Sequence, residues 1–322
     1  MPNPIPNIIF VLFTSNERQL VTPASRGYNG SACLAGASWA TNFVSLLSSS
    51  VPSHHRVWGS DGKVGIHVDP LPVPLKKAGY RAAFIGPHEA SKLAAQCGFD
   101  DPIIVQDGDG YGEATAIIER HHGNPVFLTC IAREKPSRWQ GFAPQLAARK
   151  GSPGIVLLTS IVPPSMPGNA LITKPDDLSS PFIFYPNEGG KRVNGFAHLW
   201  SIIDIAPSLL GLLGVKAPYT MVGKDMHQLW LGKTRKSIRF PRNRCLFDHA
   251  DGSKTMWNGR YLLSVHPGTE TGEIFDLYQD NGTARNLWDD PSAVSVKSRL
   301  LLELLWAQLD KECTPMPRIA GA

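Results

Sequence analysis

Asn7-Ile8-Ile9-Phe10-Val11-Leu12-Phe13, followed at once by Thr14-Ser15-Asn16, is the stretch that decides the fold. Its residues are mostly apolar and β-favouring, and they are bounded by Pro6 and a polar turn. That pattern reads as a strand buried on both faces. A continuous apolar run, as opposed to an alternating one, belongs in a parallel sheet, and ligands of such sheets gather beyond the carboxyl ends of the strands. Thr14 to Glu17 are therefore expected beside whatever site the chain carries.

Working outward, residues 21–35 are rich in Gly, Ser and Thr and read as a loop. The spacing predicts a helix over 38–50 with Ser38 as its N-cap and Trp39, Phe43, Leu46 and Leu47 on one face. A short helix over 70–78 leads into a strand over 82–85. Helices near 112–121 and 142–150 precede strands over 125–132 and 154–159. This β-α alternation argues for a mostly parallel sheet sandwiched by helices. Another strand is expected over 181–185. An amphipathic helix over 198–213 follows, interrupted at Pro207 and stopped by Gly214.

The character changes near residue 216. Asp251-Gly252 and Asn258-Gly259 are hairpin-turn signals, and a final helix is expected over 291–309 with Trp288 and Trp306 as its core anchors. The chain thus divides into an α/β core, 1–215, and a C-terminal subdomain, 216–322, of short antiparallel strands plus one helix. Asp107, Asp109 and Glu113 lack the twelfth-position glutamate of a calcium loop and read as a turn before a helix. The basic run from Lys233 to Arg244 reads as a solvated loop.

Composition narrows the function classes. A chain of 322 residues with 42% hydrophobic and 18% charged residues can bury a sizeable core. A net charge of +5 is too weak to imply nucleic acid. No apolar run approaches the roughly 20 residues of a membrane span. Met1 to Pro6 lacks the basic start and long apolar run of a signal peptide, so a cytoplasmic location is the expectation. The five cysteines show no CxxC spacing and read as free buried thiols.

Five segments in order resemble the sulfatase branch of the alkaline phosphatase superfamily. They are Pro6 to Phe13; Ser45-Leu46-Leu47-Ser48-Ser49-Ser50-Val51-Pro52-Ser53-His54-His55; Leu75 to Gly86, with its Leu-Lys-Lys-Ala-Gly-Tyr start; Ile202 to Val215, with Asp204 and Pro207; and Glu273 to Leu287. The resemblance implies an alkaline-phosphatase-like fold. It also implies a hard divalent cation held by oxygen ligands, a modified Cys or Ser nucleophile with a following Arg, and basic residues around an anionic ester.

The reactive blocks depart from that pattern. Thr14 and Ser15 stand where the family has an Asp pair. Counting back from Ser45 without gaps puts Trp39 at the nucleophile position and Phe43 at the Arg. A one-residue slip gives Ser38-Trp39-Ala40-Thr41-Asn42, which keeps S-x-A and puts Asn42 where the Arg belongs. Pro87-His88-Glu89 replaces K-x-H, and Ile161 and Val162 fall at the metal-binding pair after the fourth strand.

The expectation is a catalytically inactive protein on a sulfatase-like frame. It would hold no metal and act by binding a sulfated or phosphorylated ligand or a protein partner. The alternative is a divergent sulfuric- or phosphoric-ester hydrolase using Ser38 with His54, His55 or His88, and calcium or another divalent cation. A third reading is a subunit of a larger assembly, joined through exposed Trp and Leu side chains of the C-terminal part. His54-His55-Arg56 reads as a solvated helix end, His88-Glu89 as a surface turn, and Asp204 as a brace.

Overall fold

The computed structural model describes residues 5–14, 27–105, 110–121, 123–133, 136–148, 153–162, 178–186, 192–194, 199–232, 242–279 and 285–312. Ser15, Asp107, Asp109, Cys313 and residues 233–241 of the basic run lie outside them; Arg242, read as part of a solvated loop, is instead paired with the buried Asp204.

In chain order the elements are β1 (Asn7–Phe13), β2 (Gly27–Cys33), α1 (Trp39–Ser48), α2 (Pro52–His55), α3 (Pro72–Lys77), β3 (Arg81–Gly86), α4 (His88–Gln96) and β4 (Asp100–Ile104). Next come α5 (Tyr111–Arg120), β5 (Val126–Ala132), α6 (Pro136–Ala147), β6 (Gly154–Ser160), β7 (Ser179–Tyr185), β8 (Arg192–Asn194), α7 (Ile205–Leu212) and α8 (His227–Trp230). The C-terminal part holds β9 (Cys245–Asp248), β10 (Lys254–Trp257), β11 (Tyr261–Val265), β12 (Gly272–Asp276) and α9 (Val294–Glu312).

Among the described residues the main sheet has eight strands in the order β4-β3-β5-β1-β6-β7-β2-β8. From β4 to β6 every pairing is parallel. β7 runs antiparallel to both of its neighbours, β6 and β2. As the unbroken apolar run requires, β1 lies at the centre and all seven of its residues are buried. Ile8, Phe10 and Leu12 face a core shared with α1, α4 and α7, while Ile9, Val11 and Phe13 face one shared with α5 and α6. The helices on the two faces are the same two sets that these alternating side chains need as partners.

The second sheet is antiparallel, in the order β12-β11-β10-β9. Phe247, Leu262 and Phe275 point into the first core, whereas Met256, Leu263 and Ile274 pack with Trp288 and with Leu300 and Leu304 of α9. This small sheet is thus a layer between the main core and the last helix.

Three expectations are corrected. Residues 27–33 form a strand instead of a loop, because β7 and β8 pair with both of their edges and supply the order that glycine-rich composition lacks. Gly27 has φ +86 and lies so close to Phe184 that a Cβ would sit 2.1 Å from its carbonyl oxygen. His88 and Glu89 are the first turn of a helix, not a surface turn, and Ala90, Leu93, Ala94 and Cys97 supply its buried stripe. Trp306 is 52% exposed and anchors nothing, while Trp288 is buried.

Candidate functional site

The carboxyl ends of β1 and β6 meet the amino end of α1. The Ile161 N–H and the Ser160 hydroxyl both donate to the Phe13 carbonyl, at 3.0 and 3.3 Å. The Thr14 N–H reaches the Ala132 carbonyl at the end of β5. A parallel sheet concentrates ligand chemistry at such a place.

Asn42 occupies the junction. It is fully buried in the first turn of α1. Its carboxamide oxygen accepts from the Ala35 and Gly36 N–H groups, at 2.9 and 3.1 Å. Its nitrogen donates to the carbonyls of Gly36, Ser38 and Ile161, at 2.8, 3.1 and 3.1 Å. One side chain therefore ties the loop before α1, the helix itself and the segment after β6. No acceptor capacity of that amide is left for a ligand.

Ser38 sits where sequence placed it, as the N-cap of α1. Its oxygen accepts from the Thr41 N–H at 3.1 Å, and it donates to the Trp58 carbonyl at 2.9 Å, with the Thr41 hydroxyl 2.7 Å away. The hydroxyl proton is thus directed at a backbone carbonyl, and among the described residues no histidine stands as its hydrogen-bonded base. The segment carrying Trp58 lies over the amino end of α1.

Contrary to the solvated helix end expected for His54-His55-Arg56, His55 is fully buried and pairs with Ser45, not Ser38, at 2.8 Å. Its Nδ1 accepts from the Val57 N–H at 3.1 Å, which puts the proton on Nε2, donating to the Ser45 hydroxyl. Burial pushes its pKa down from 6.5 to about 3, against the opposing pull of the Asp248 charge. The unfolded chain takes up this proton near pH 6.5 and the folded one does not. Stability therefore falls as the pH drops from about 6.5 towards 3, by up to about 1.4 kcal/mol per pH unit. Urea unfolding across that range is expected to show this slope in the wild type and a flatter one in His55→Gln. Equal slopes would remove His55 as the source.

His54 Nδ1 pairs with the Ser50 hydroxyl at 2.7 Å, and its ring lies 5.0 Å from that of His67. His88 is exposed at the start of α4, beside the exposed pair Glu89–Arg133. The four sequence candidates are thus distributed over separate networks and not assembled around one hydroxyl.

Sequence reasoning missed Asp248 and Lys254. Asp248 is 1% exposed at the end of β9 and joins two parts of the site. Its N–H donates to Ala35, and its carboxylate accepts from the Ser53 N–H at 3.1 Å and pairs with Lys254 at 3.0 Å. The available signal was an aspartate inside the apolar run Cys245-Leu246-Phe247, where an unpaired carboxylate would be costly.

These residues do not fit a hard dication. Ile161 is aliphatic and buried, and the Asn42 oxygen is already spent. Among the described residues no three His, Cys, Asp or Glu side chains are grouped to hold a metal. Such an ion needs several oxygen donors, carboxylates above all.

No protein-family model matches the sequence, and no curated protein matches it. Solved structures do. The chain is similar to BT4656, solved in complex with its substrate D-glucosamine-2-N,6-O-disulfate, at 12% identity and a TM-score of 0.72, covering 95% of this chain and 98% of that one. It is similar to the phosphonate monoester hydrolase SpPMH from Silicibacter pomeroyi at 11% identity and a TM-score of 0.72, covering 95% and 96%. A protein of the alkaline phosphatase superfamily from Vibrio parahaemolyticus matches at 16% identity and a TM-score of 0.70, covering 99% and 90%. With a central β1, a mostly parallel eight-stranded sheet and a small antiparallel sheet behind it, the chain has the fold of the sulfatases and their relatives in the alkaline phosphatase superfamily.

Proposed function

We propose that this protein uses a sulfatase-like frame to bind an anionic sulfate or phosphate ester without hydrolysing it. The observation that carries the proposal is Asn42, whose amide is consumed by five backbone groups at the meeting point of β1, β6 and α1. A side chain so committed holds the backbone shape of the site and offers no ligand atom or charge of its own. Activation of a hydroxyl nucleophile needs an adjacent base, a lowered pKa or a metal. Ser38 has its proton on the Trp58 carbonyl and its base candidates elsewhere.

The binding half rests on charge. Exposed Arg56, Lys63 and His67 lie with half-buried His54 on the segment that carries Trp58, against exposed Asp61 and half-buried Asp69, the latter hydrogen-bonded to Thr220. A ten-residue helix directs its partial positive end the same way.

The test combines metal analysis of the purified protein with aryl-sulfate and aryl-phosphate turnover in added calcium, magnesium and manganese. The expected result is no tightly held divalent metal and no turnover, together with a higher melting temperature in a sulfated or phosphorylated sugar. Ligand at 100 times its Kd stabilises by about 2.7 kcal/mol. Turnover that disappears in Ser38→Ala would overturn the non-hydrolytic reading. An unchanged melting temperature in both ligand classes would overturn the binding one.

A further inference from the structure

Among the described residues, the last helix carries a second apolar face that no other element covers. Leu300, Leu304 and Ala307 of α9 are buried against the small sheet. On the opposite side Leu302, Leu305, Trp306 and Leu309 are 43%, 53%, 52% and 44% exposed. Their spacings of three and four residues place them on one stripe, and Ser295 and Ser298 extend it towards the amino end with the same alternation. This is the seam of a two-helix coiled coil, in which small or apolar side chains repeat every 3.5 residues on average. Scattered exposed leucines need no explanation, but four large apolar side chains in one seam do.

We propose that this face binds the same face of a second copy of the chain, with the two α9 helices antiparallel about a two-fold axis near Leu305. The charges argue for a self-complementary partner. Arg299 stands at the amino end of the stripe and Asp310 at its carboxyl end, on the same flank of the helix, with side chains 58% and 76% exposed. A two-fold axis perpendicular to the helices brings each residue opposite one equally far beyond the axis on the partner. With the axis between Leu305 and Trp306 and a rise of about 1.5 Å per residue, Arg299 falls within about 3 Å along the axis of the partner's Asp310. Leu302 then meets the partner's Leu309. In a parallel pair the flank that carries Arg299 and Asp310 would lie on the opposite side of the seam from the same flank of the partner, and neither charge would meet its complement.

Within each chain Arg299 lies 3.9 Å from Glu303, and Asp310 lies 3.1 Å from Arg244. These pairs hold the two charges at the flank without burying them. The proposal is independent of the ester-binding role, since α9 packs on the far side of the small sheet from the main core.

Sedimentation velocity of the full chain tests it. The wild type is expected to be a dimer at micromolar concentration, and Leu305→Glu is expected to raise the dimer Kd at least about a hundredfold. Because Leu305 is 53% exposed, the variant is expected to keep the wild-type melting temperature at monomeric concentrations. Arg299→Glu and Asp310→Arg, each alone, place two like-charged contacts in the homodimer and are expected to weaken it about tenfold. Mixing the two variants restores both opposite-charge contacts and is expected to return the affinity to that of the wild type. A wild type that stays monomeric at about 0.1 mM, or a dimer indifferent to Leu305→Glu, would overturn the proposal. A mixture that associates no better than its components would overturn the antiparallel register.

Discussion

Asp204→Asn is expected to cost about 3–5 kcal/mol of folding stability, the loss typical of removing one member of a buried ion pair. Asp204 is fully buried immediately before the start of α7. Its carboxylate accepts from the Ser201 N–H at 2.8 Å, the Lys224 N–H at 2.7 Å and Arg242 Nε at 2.7 Å, with a second contact to Arg242 Nη2. Burial alone disfavours the Arg242 guanidinium, and the Asp204 charge more than offsets this, holding its pKa above the ordinary value. Asparagine has nearly the same shape but no charge, and its NH2 would meet donors where acceptors are needed. The charge of Arg242 would then be left uncompensated.

Urea unfolding measures the loss, and the double variant Asp204→Leu/Arg242→Met separates its causes. If the cost comes from the orphaned charge, the double variant is expected to be more stable than Asp204→Asn. A double variant less stable than the single one would mean that backbone bracing by Asp204, and not the charge, dominates.

The second large effect is expected at Asn42. Asn42→Leu conserves volume and removes five hydrogen bonds. The Ala35 and Gly36 N–H groups are left in a dry interior, and each buried group without a partner costs about 1–3 kcal/mol. A total loss of about 3–5 kcal/mol is expected. Asn42→Asp separates the two halves of the network. It keeps the acceptors but turns the three donations to Gly36, Ser38 and Ile161 into repulsion between a carboxylate and carbonyls. It is therefore expected to be destabilised at neutral pH and to recover in part as the carboxyl is protonated at lower pH, opposite in sign to the His55 effect. If Asn42→Leu unfolds within about 1 kcal/mol of the wild type, the side chain is not the tie that its contacts describe.

These two residues mark the limit of what the sequence discloses. The frame was legible because its signals are local. β1 announces itself by an unbroken apolar run, and α1 by Ser38 followed by apolar residues at helical spacing. Pro52 and the serines before it mark the sharp exit from α1, where Ser49 takes a left-handed φ of 52 and its hydroxyl donates to the Ile203 carbonyl. The bracing role of Asp204 was also legible, since an aspartate in a structural helix start has few other uses.

What escaped was non-local. Residues 27–33 are a strand only because β7 and β8, more than 145 positions later, offer both edges. Asn42 read as a failed arginine, a statement about what it is not. Its actual part depends on the Ile161 carbonyl 119 residues away. Asp248 reaches Ser53 across 195 residues, a contact that its immediate sequence does not announce. Ser38, His54, His55 and His88 drew notice as reactive types. Side-chain chemistry alone does not tell which neighbour each one is bonded to.

The central position of β1 has a consequence for how the chain is made. β1 is made more than 100 residues before either of its partners, β5 and β6. Phe13 meets the end of β6 only across 147 residues of chain. At about 5–20 residues per second, that is a wait of roughly 7–30 s. Throughout it, Asn-Ile-Ile-Phe-Val-Leu-Phe is a bare, uncharged β-forming segment of the kind that stacks on its own copies. Shielding of that heptapeptide until β5 and β6 emerge is therefore a requirement that the order of the strands places on the making of the chain.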